Sequence, residues 1–229
     1  QNLKAAEAYA LEAVEPTIHS TPGQLWRPDA IREHRNEAWI TNTQVNFCAR
    51  AYQTVPSSHS DAPALTVLSA VLRNGYLHRA IREQGGAYGG GASHDGNIGA
   101  FRFFSYRDPR LGETLADFDA AIDWFLASKH ESETLEEAIL GVIGSLDKPG
   151  SPAGEARKHF HEALFARTAD HRSAFRRGVI NTTLEDLRRV ADTYLLNAKA
   201  STAIITNTQT ATREATLLAE LGLEHRDLN

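Results

Sequence analysis

The segment Gly85-Gly86-Ala87-Tyr88-Gly89-Gly90-Gly91 puts five glycines into seven residues, between a helical pattern and an apolar, strand-like run. Glycine loses more conformational freedom on folding than any other residue, so the run weakens a strand unless another backbone must come close. It is not a phosphate loop, because no Gly-Lys-Ser/Thr follows. Nor is it a dinucleotide fingerprint, which follows a strand and opens a helix; here a helix comes first and a strand after. Two readings of these residues stay open. One is a flexible hairpin with a core tyrosine. The other is a bare strand edge that accepts a peptide, with Arg82 and Tyr88 as donors.

The flanking periodicity sets the fold class. Leu65, Leu68, Val71, Leu72, Tyr76 and Leu77 fall at helical spacing through about Arg82, with Asp61 placed to cap the start. Ile98 to Tyr106 is strand-like, and Arg107-Asp108-Pro109 signals a turn. Upstream, Trp39, Thr41, Thr43, Val45 and Phe47 alternate with polar residues, which predicts one strand from Glu37 to Ala51 with one buried face. Downstream, Leu115, Phe118, Ile122 and Phe125 mark a helix, and Leu135 to Leu146 a second. Residues 155–177 read as a charged helix, and Thr182 with Glu185 has capping-box spacing ahead of another. Ala203 to Ile205 is a short strand, and a last helix spans about 211–221. Residues 1–18 read as helix and 19–30 as a connecting arm. Consecutive helices in the middle argue against repeated βαβ units. The expected class is α+β: a mostly antiparallel sheet with helices packed on one face, in one domain over 31–229.

Composition narrows the function. The 229 residues carry a net charge of −5, against a dedicated nucleic-acid binder, and no apolar window is long enough for a membrane-spanning helix. The single Cys48 cannot form an internal disulfide or a cysteine-based zinc site, and as a small strand residue it reads as core. No His-Glu-x-x-His or His-x-x-Glu-His run occurs, and His159 and His161 point to different faces of a helix, so no metal site is expected. Arg172, Arg176, Arg177, Arg188 and Arg189 form a basic cluster, read as solvated helix faces or a docking surface for an acidic partner. The chain starts at Gln1 and has no methionine, which reads as a processed product or a piece of a longer polypeptide.

Leu77 through Pro109 resembles the C-terminal domain of pitrilysin-type (peptidase M16) zinc metallopeptidases, and within them the presequence protease and falcilysin group. The resemblance rests on Ile81-Arg82-Glu83-x-Gly85-Gly86-Ala87-Tyr88-Gly89-Gly90-Gly91-Ala92, an apolar strand, and Ser105-Tyr106-Arg107-Asp108-Pro109. Glu113-Thr114-Leu115 and Leu146-Asp147-Lys148-Pro149 extend it. It implies one of four homologous α+β domains, arranged in two halves that close on a peptide, with residues 1–30 linking to an upstream domain. It implies Zn2+ bound upstream and none in this fragment, which alone would be inactive. Arg82 and Tyr88 match the family's auxiliary pair, which contacts substrate and the tetrahedral oxyanion, and their six-residue separation fits the presequence-protease branch. Gly85, Gly86, Ala87, Gly89 and Gly90 would let a substrate backbone lie near. The implied partners are upstream domains of the same chain and short unstructured peptides, with no nucleic acid or membrane. A bacterial cytoplasm is the expected location, an organelle matrix such as the mitochondrial one the alternative. Two other functions are carried: a non-catalytic structural or partner module of the superfamily, and a freestanding peptide-binding domain.

Overall fold

The sheet is built around β2 (Asn46–Gln53), where Cys48, Arg50 and Tyr52 are buried while Ala49 and Gln53 are exposed. The structure, a computed structural model, describes residues 33–164 and 167–228. The helix and arm expected over residues 1–30 lie outside them. β4 (Ala100–Asp108) and β5 (Ala200–Thr206) pair antiparallel with β2 on either side. β3 (Gly89–Asp95) adds antiparallel outside β4. β1 (Asn36–Ile40) and β6 (Glu224–Asp227) continue the sheet beyond β5 in parallel. The order is β3-β4-β2-β5-β1-β6. Phe101, Phe103, Tyr52 and Ile204 enter one core with Leu65, Leu68 and Phe118. The alternate residues Ala49, Arg102 and Ala203 stay exposed, so the sheet is covered on one face, and the α+β expectation holds.

The single strand expected from Glu37 to Ala51 is two strands. Thr43 sits in the turn between them: its hydroxyl donates to the Val45 carbonyl (3.0 Å), and Asn207 Nδ2 donates to the Thr43 carbonyl (2.9 Å). Side-chain bonds of this kind offer the backbone an alternative to the ladder. The buried face is also the other one. Ala38, Cys48, Arg50 and Tyr52 point inward, and Arg50 is tolerated there because Asp119 pairs with it.

α1 (Ala62–Leu72) is buried at every position except Thr66, as a helix apolar on all sides must be. Asp61 stands at its N-cap but makes no cap bond with its side chain. Its carboxylate instead accepts from Arg189 Nη2 and Tyr194 Oη, both at 2.8 Å, which holds its pKa below the usual carboxylate range. From Arg73 to Gln84 the helix continues in π geometry, burying Leu77 and Ile81. Gly75 is needed on this stretch, since a Cβ there would meet the Trp124 ring at 2.6 Å.

The remaining helices are α2 (Gly112–Ala127), α3 (Ser132–Leu146), α4 (Pro152–Leu164), α5 (Ala169–Ile180) and α6 (Leu184–Tyr194). The one helix expected over 155–177 is thus α4 and α5, the second capped by Thr168, which accepts from the His171 amide. The capping box sits one residue later than expected, between Thr183 and Asp186. The last expected helix is two short ones, α7 (Thr208–Arg213) and α8 (Ala215–Glu220), ahead of β6.

Candidate functional site

Arg82 lies in the last turn of the π-helical stretch, and Tyr88 immediately precedes β3. Between them the chain turns. The Gly86 amide donates to the Arg82 carbonyl and the Ala87 amide to that of Ile81, both at 3.1 Å. Gly86 takes φ +78°, a left-handed conformation that an L side chain resists. Arg110 buttresses the turn from inside. Its Nη2 donates to the Ala80 carbonyl (3.1 Å) and to Asp117 (2.8 Å), and it fills the space where a Gly85 side chain would lie.

The Arg82 guanidinium is exposed, with Nη1 3.5 Å from His78 Nε2; His78 in turn pairs with Glu83 at 3.3 Å. Tyr88 is 65% exposed, the Tyr106 ring lies 5.7 Å from its own, and the Arg107 guanidinium carbon is 5.4 Å from its centroid. Among the described residues no hydrogen bond joins Arg82 to Tyr88; they flank the same turn.

The glycines serve the chain's own packing. A Cβ on Gly89 would meet Tyr106 Oη at 2.5 Å, and one on Gly90 would meet Ile81 at 2.8 Å and the Phe104 carbonyl at 2.9 Å. Gly91 is faced by the Arg73 stem at 2.8 Å. These close approaches bring helix, β3 and β4 together, which accounts for most of the glycine run. They also leave the first three residues of β3 without side chains, at an edge that no strand pairs with among the described residues. The Thr202 amide donates to the Arg35 carbonyl on the β1 side (3.1 Å), so the groups of Ala203 face β2, and alternation across β2 and β4 turns those of Arg102, Phe104 and Tyr106 toward β3. Their cross-strand partners Ser93, Gly91 and Gly89 therefore bond to β4, and the N–H and C=O groups of Gly90, Ala92 and His94 face the open edge. Such an edge can take an added strand, with Tyr88 and Arg82 at its start.

Tyr106, Arg107 and Arg110 were not singled out from sequence as parts of a site. The signal was there in Ser105-Tyr106-Arg107-Asp108-Pro109, but the spacing alone reads as a strand end and a turn. The arginine cluster resolves differently from a docking surface. Arg172 pairs with Glu162, Arg176 with Asp147 and Arg189 with Asp61, while Arg188 donates to the Leu126 and Ser128 carbonyls. These charges mainly tie α-helices to their neighbours.

Among the described residues no three His, Cys, Asp or Glu side chains are grouped to hold a metal. Cys48 is buried, and desolvation pushes its thiol up to about 12, so it neither ligates nor attacks at neutral pH. The donors present therefore do not fit a zinc centre. No helix among the described residues is long and apolar enough to cross a membrane.

Residues 36–209 match the family model described as PreP C-terminal domain. The chain is 39% identical over 154 residues to the mitochondrial presequence protease of Yarrowia lipolytica, covering 67% of this chain and 15% of that protein. It is 39% identical over 163 residues to that of Saccharomyces cerevisiae, covering 71% of this chain and 16% of that one. The chain thus spans about a sixth of these relatives. Among solved structures, the peptidase M16 inactive domain from Pseudomonas fluorescens has a TM-score of 0.67 at 16% identity, covering 90% of this chain and 51% of that one. That likeness concerns the fold.

Proposed function

The chain belongs to the PreP C-terminal domain family of M16 peptidases, and on that premise we propose that it is the C-terminal domain of a zinc-dependent metalloendopeptidase that degrades short unfolded peptides. In this reading the zinc and its ligands belong to an upstream domain, and this domain contributes the β3 edge, Arg82 and Tyr88. The fragment alone would not cleave peptides, because the hydrolytic centre is elsewhere.

A peptide entering in extended form would add to the outward groups of Gly90, Ala92 and His94, which supply main-chain hydrogen bonds without reading sequence. Tyr88 Oη and the Arg82 guanidinium are donors at the start of that edge. Held in place, they can bind the scissile peptide and stabilise the negative charge that develops on its carbonyl oxygen, a term often large in acyl transfer. A requirement for extended backbone would favour unstructured peptides over folded proteins. The observation that carries this reading is the unpaired glycine edge, with a largely exposed tyrosine at its head. The relatives' names place those proteins in mitochondria, which supports the organelle-matrix alternative over a bacterial cytoplasm.

The test uses the full-length protease and an unstructured fluorogenic peptide. Tyr88→Phe, which removes only the hydroxyl, is expected to lower kcat by about 100-fold, as the loss of one oxyanion donor does elsewhere. Arg82→Lys keeps the charge and loses the planar fork, with a smaller expected loss. Near-normal turnover in Tyr88→Phe would overturn the catalytic role.

A further inference from the structure

We propose that Tyr106 and Arg107 form a β-bulge whose function is to hold the Tyr88 ring in its working orientation. The inference deepens the role proposed for Tyr88 and rests on it. Asn46 of β2 is opposite Asp108 of β4, and Cys48 is opposite Ser105. One residue of β2, Phe47, thus faces two of β4, Tyr106 and Arg107. A bulge of this kind inserts a residue, kinks the strand and re-aims side chains. Its partner on the other side stays in register, with Gly89 opposite Tyr106.

The bulge has a backbone signature. Arg107 takes φ +49°, a left-handed conformation unusual for an arginine. It is held there by its buried neighbour. Asp108 Oδ1 accepts from the Arg110 amide (2.9 Å), Oδ2 accepts from Thr114 Oγ1 (2.8 Å), and Asn46 Nδ2 donates to the Asp108 carbonyl (3.1 Å). Strain kept in place by a built anchor is a pointer to function. Here its result is that consecutive residues, which would alternate across a regular strand, both turn to Tyr88. The Tyr106 ring lies 5.7 Å from the Tyr88 ring at an interplanar angle of 58°, a tilted aromatic pair. The Arg107 guanidinium stands over the Tyr88 face at 5.4 Å. Gly89 makes room for this, because a Cβ there would strike the Tyr106 ring. A tyrosine as exposed as Tyr88 would otherwise exchange rotamers freely. Tyr106 and Arg107 are therefore positioning residues, acting through Tyr88.

Arg107→Gly separates positioning from structure. Glycine relieves the left-handed backbone, so the melting temperature is expected to hold or rise, while the cation over Tyr88 is lost. In the full-length protease this variant is expected to lose about 10-fold in kcat with KM changed less, since small misplacements of a reacting group are costly. Tyr106→Leu is expected to behave alike, and Tyr106→Phe, which keeps the ring, to restore most of the loss. NMR of the Tyr88 ring in the same protein should show one χ1 rotamer in the wild type and averaging in Arg107→Gly and Tyr106→Leu. Unchanged kcat and an unchanged Tyr88 rotamer in both variants, beside a strong loss in Tyr88→Phe, would overturn the positioning role and leave the Tyr88 reading standing. Normal turnover in Tyr88→Phe would overturn both.

Discussion

The two edges of the sheet are finished in opposite ways. β6 is four residues long and entirely charged or polar: Glu224, His225, Arg226 and Asp227. Arg226 lies over the Trp39 ring at 5.5 Å and pairs with Glu37 (3.0 Å) and Glu224 (3.3 Å), sealing that end with charge. β3 at the other edge opens with three glycines, so its first half has no side chains to discourage a visiting strand. Short charged edges are how proteins avoid pairing with strangers. In the proposed reading the bare half of β3 is where pairing is wanted, with Tyr88, Arg82 and the bulge cluster at its head.

Crowding β3 should have the largest effect on stability. Gly90→Val would drive a side chain into Ile81 and the Phe104 carbonyl, so it is expected to cost about 1–3 kcal/mol in urea unfolding. The matching change at the guarded edge, His225→Val, should stay within about 0.5 kcal/mol, as exposed positions do. Equal losses at the two edges would break the contrast.

Asp61 anchors α1, which packs on β3. Its pKa is held below the usual value, first by the hydrogen bond from Arg189. The stabilisation is therefore complete above the ordinary carboxylate range and lost as pH falls through the depressed value. Asp61→Asn is expected to cost about 1–2 kcal/mol at pH 7, given a half-exposed Arg189 partner. In acid, β3 amides should exchange with solvent faster than those of β5, which does not lie against α1.

Ala92→Pro removes one outward N–H. Proline is tolerated on edge strands but Ala92 is buried, so stability should fall by about 1–2 kcal/mol, while binding of an extended peptide weakens more than tenfold. Titration calorimetry and a melt on the same variant separate the two effects. A smaller change should come from Arg226→Ala, about 0.2–1 kcal/mol for exposed pairs. Its informative readout is light scattering: uncovering Trp39 and the β6 edge should raise self-association, and an unchanged profile would mean that charge does not guard that edge.

Where apolar periodicity carried the information, the fold was legible. The helices around Phe118 and Ile139 and the β4 strand follow from spacing, and the glycine run located the open edge because no other motif accommodates it. Three things were not legible. β6 has no apolar residue and exists through its pairing with β1. The inward face of β2 carries Arg50, whose burial depends on Asp119, 69 positions away. The π-helical stretch left only a trace, the five-residue intervals from Leu72 to Leu77 and from Tyr76 to Ile81. Of the proposed site, Arg82 and Tyr88 were named through their motif. The bulge could not be, because it is a register difference between β2 and β4.

Amide hydrogen exchange of the full-length protease, with and without a saturating, slowly cleaved extended peptide, tests the β3 edge most directly. The account predicts new protection at Gly90, Ala92 and His94, with β6 amides unchanged. Peptide bound at saturation with no added protection along β3 would contradict it.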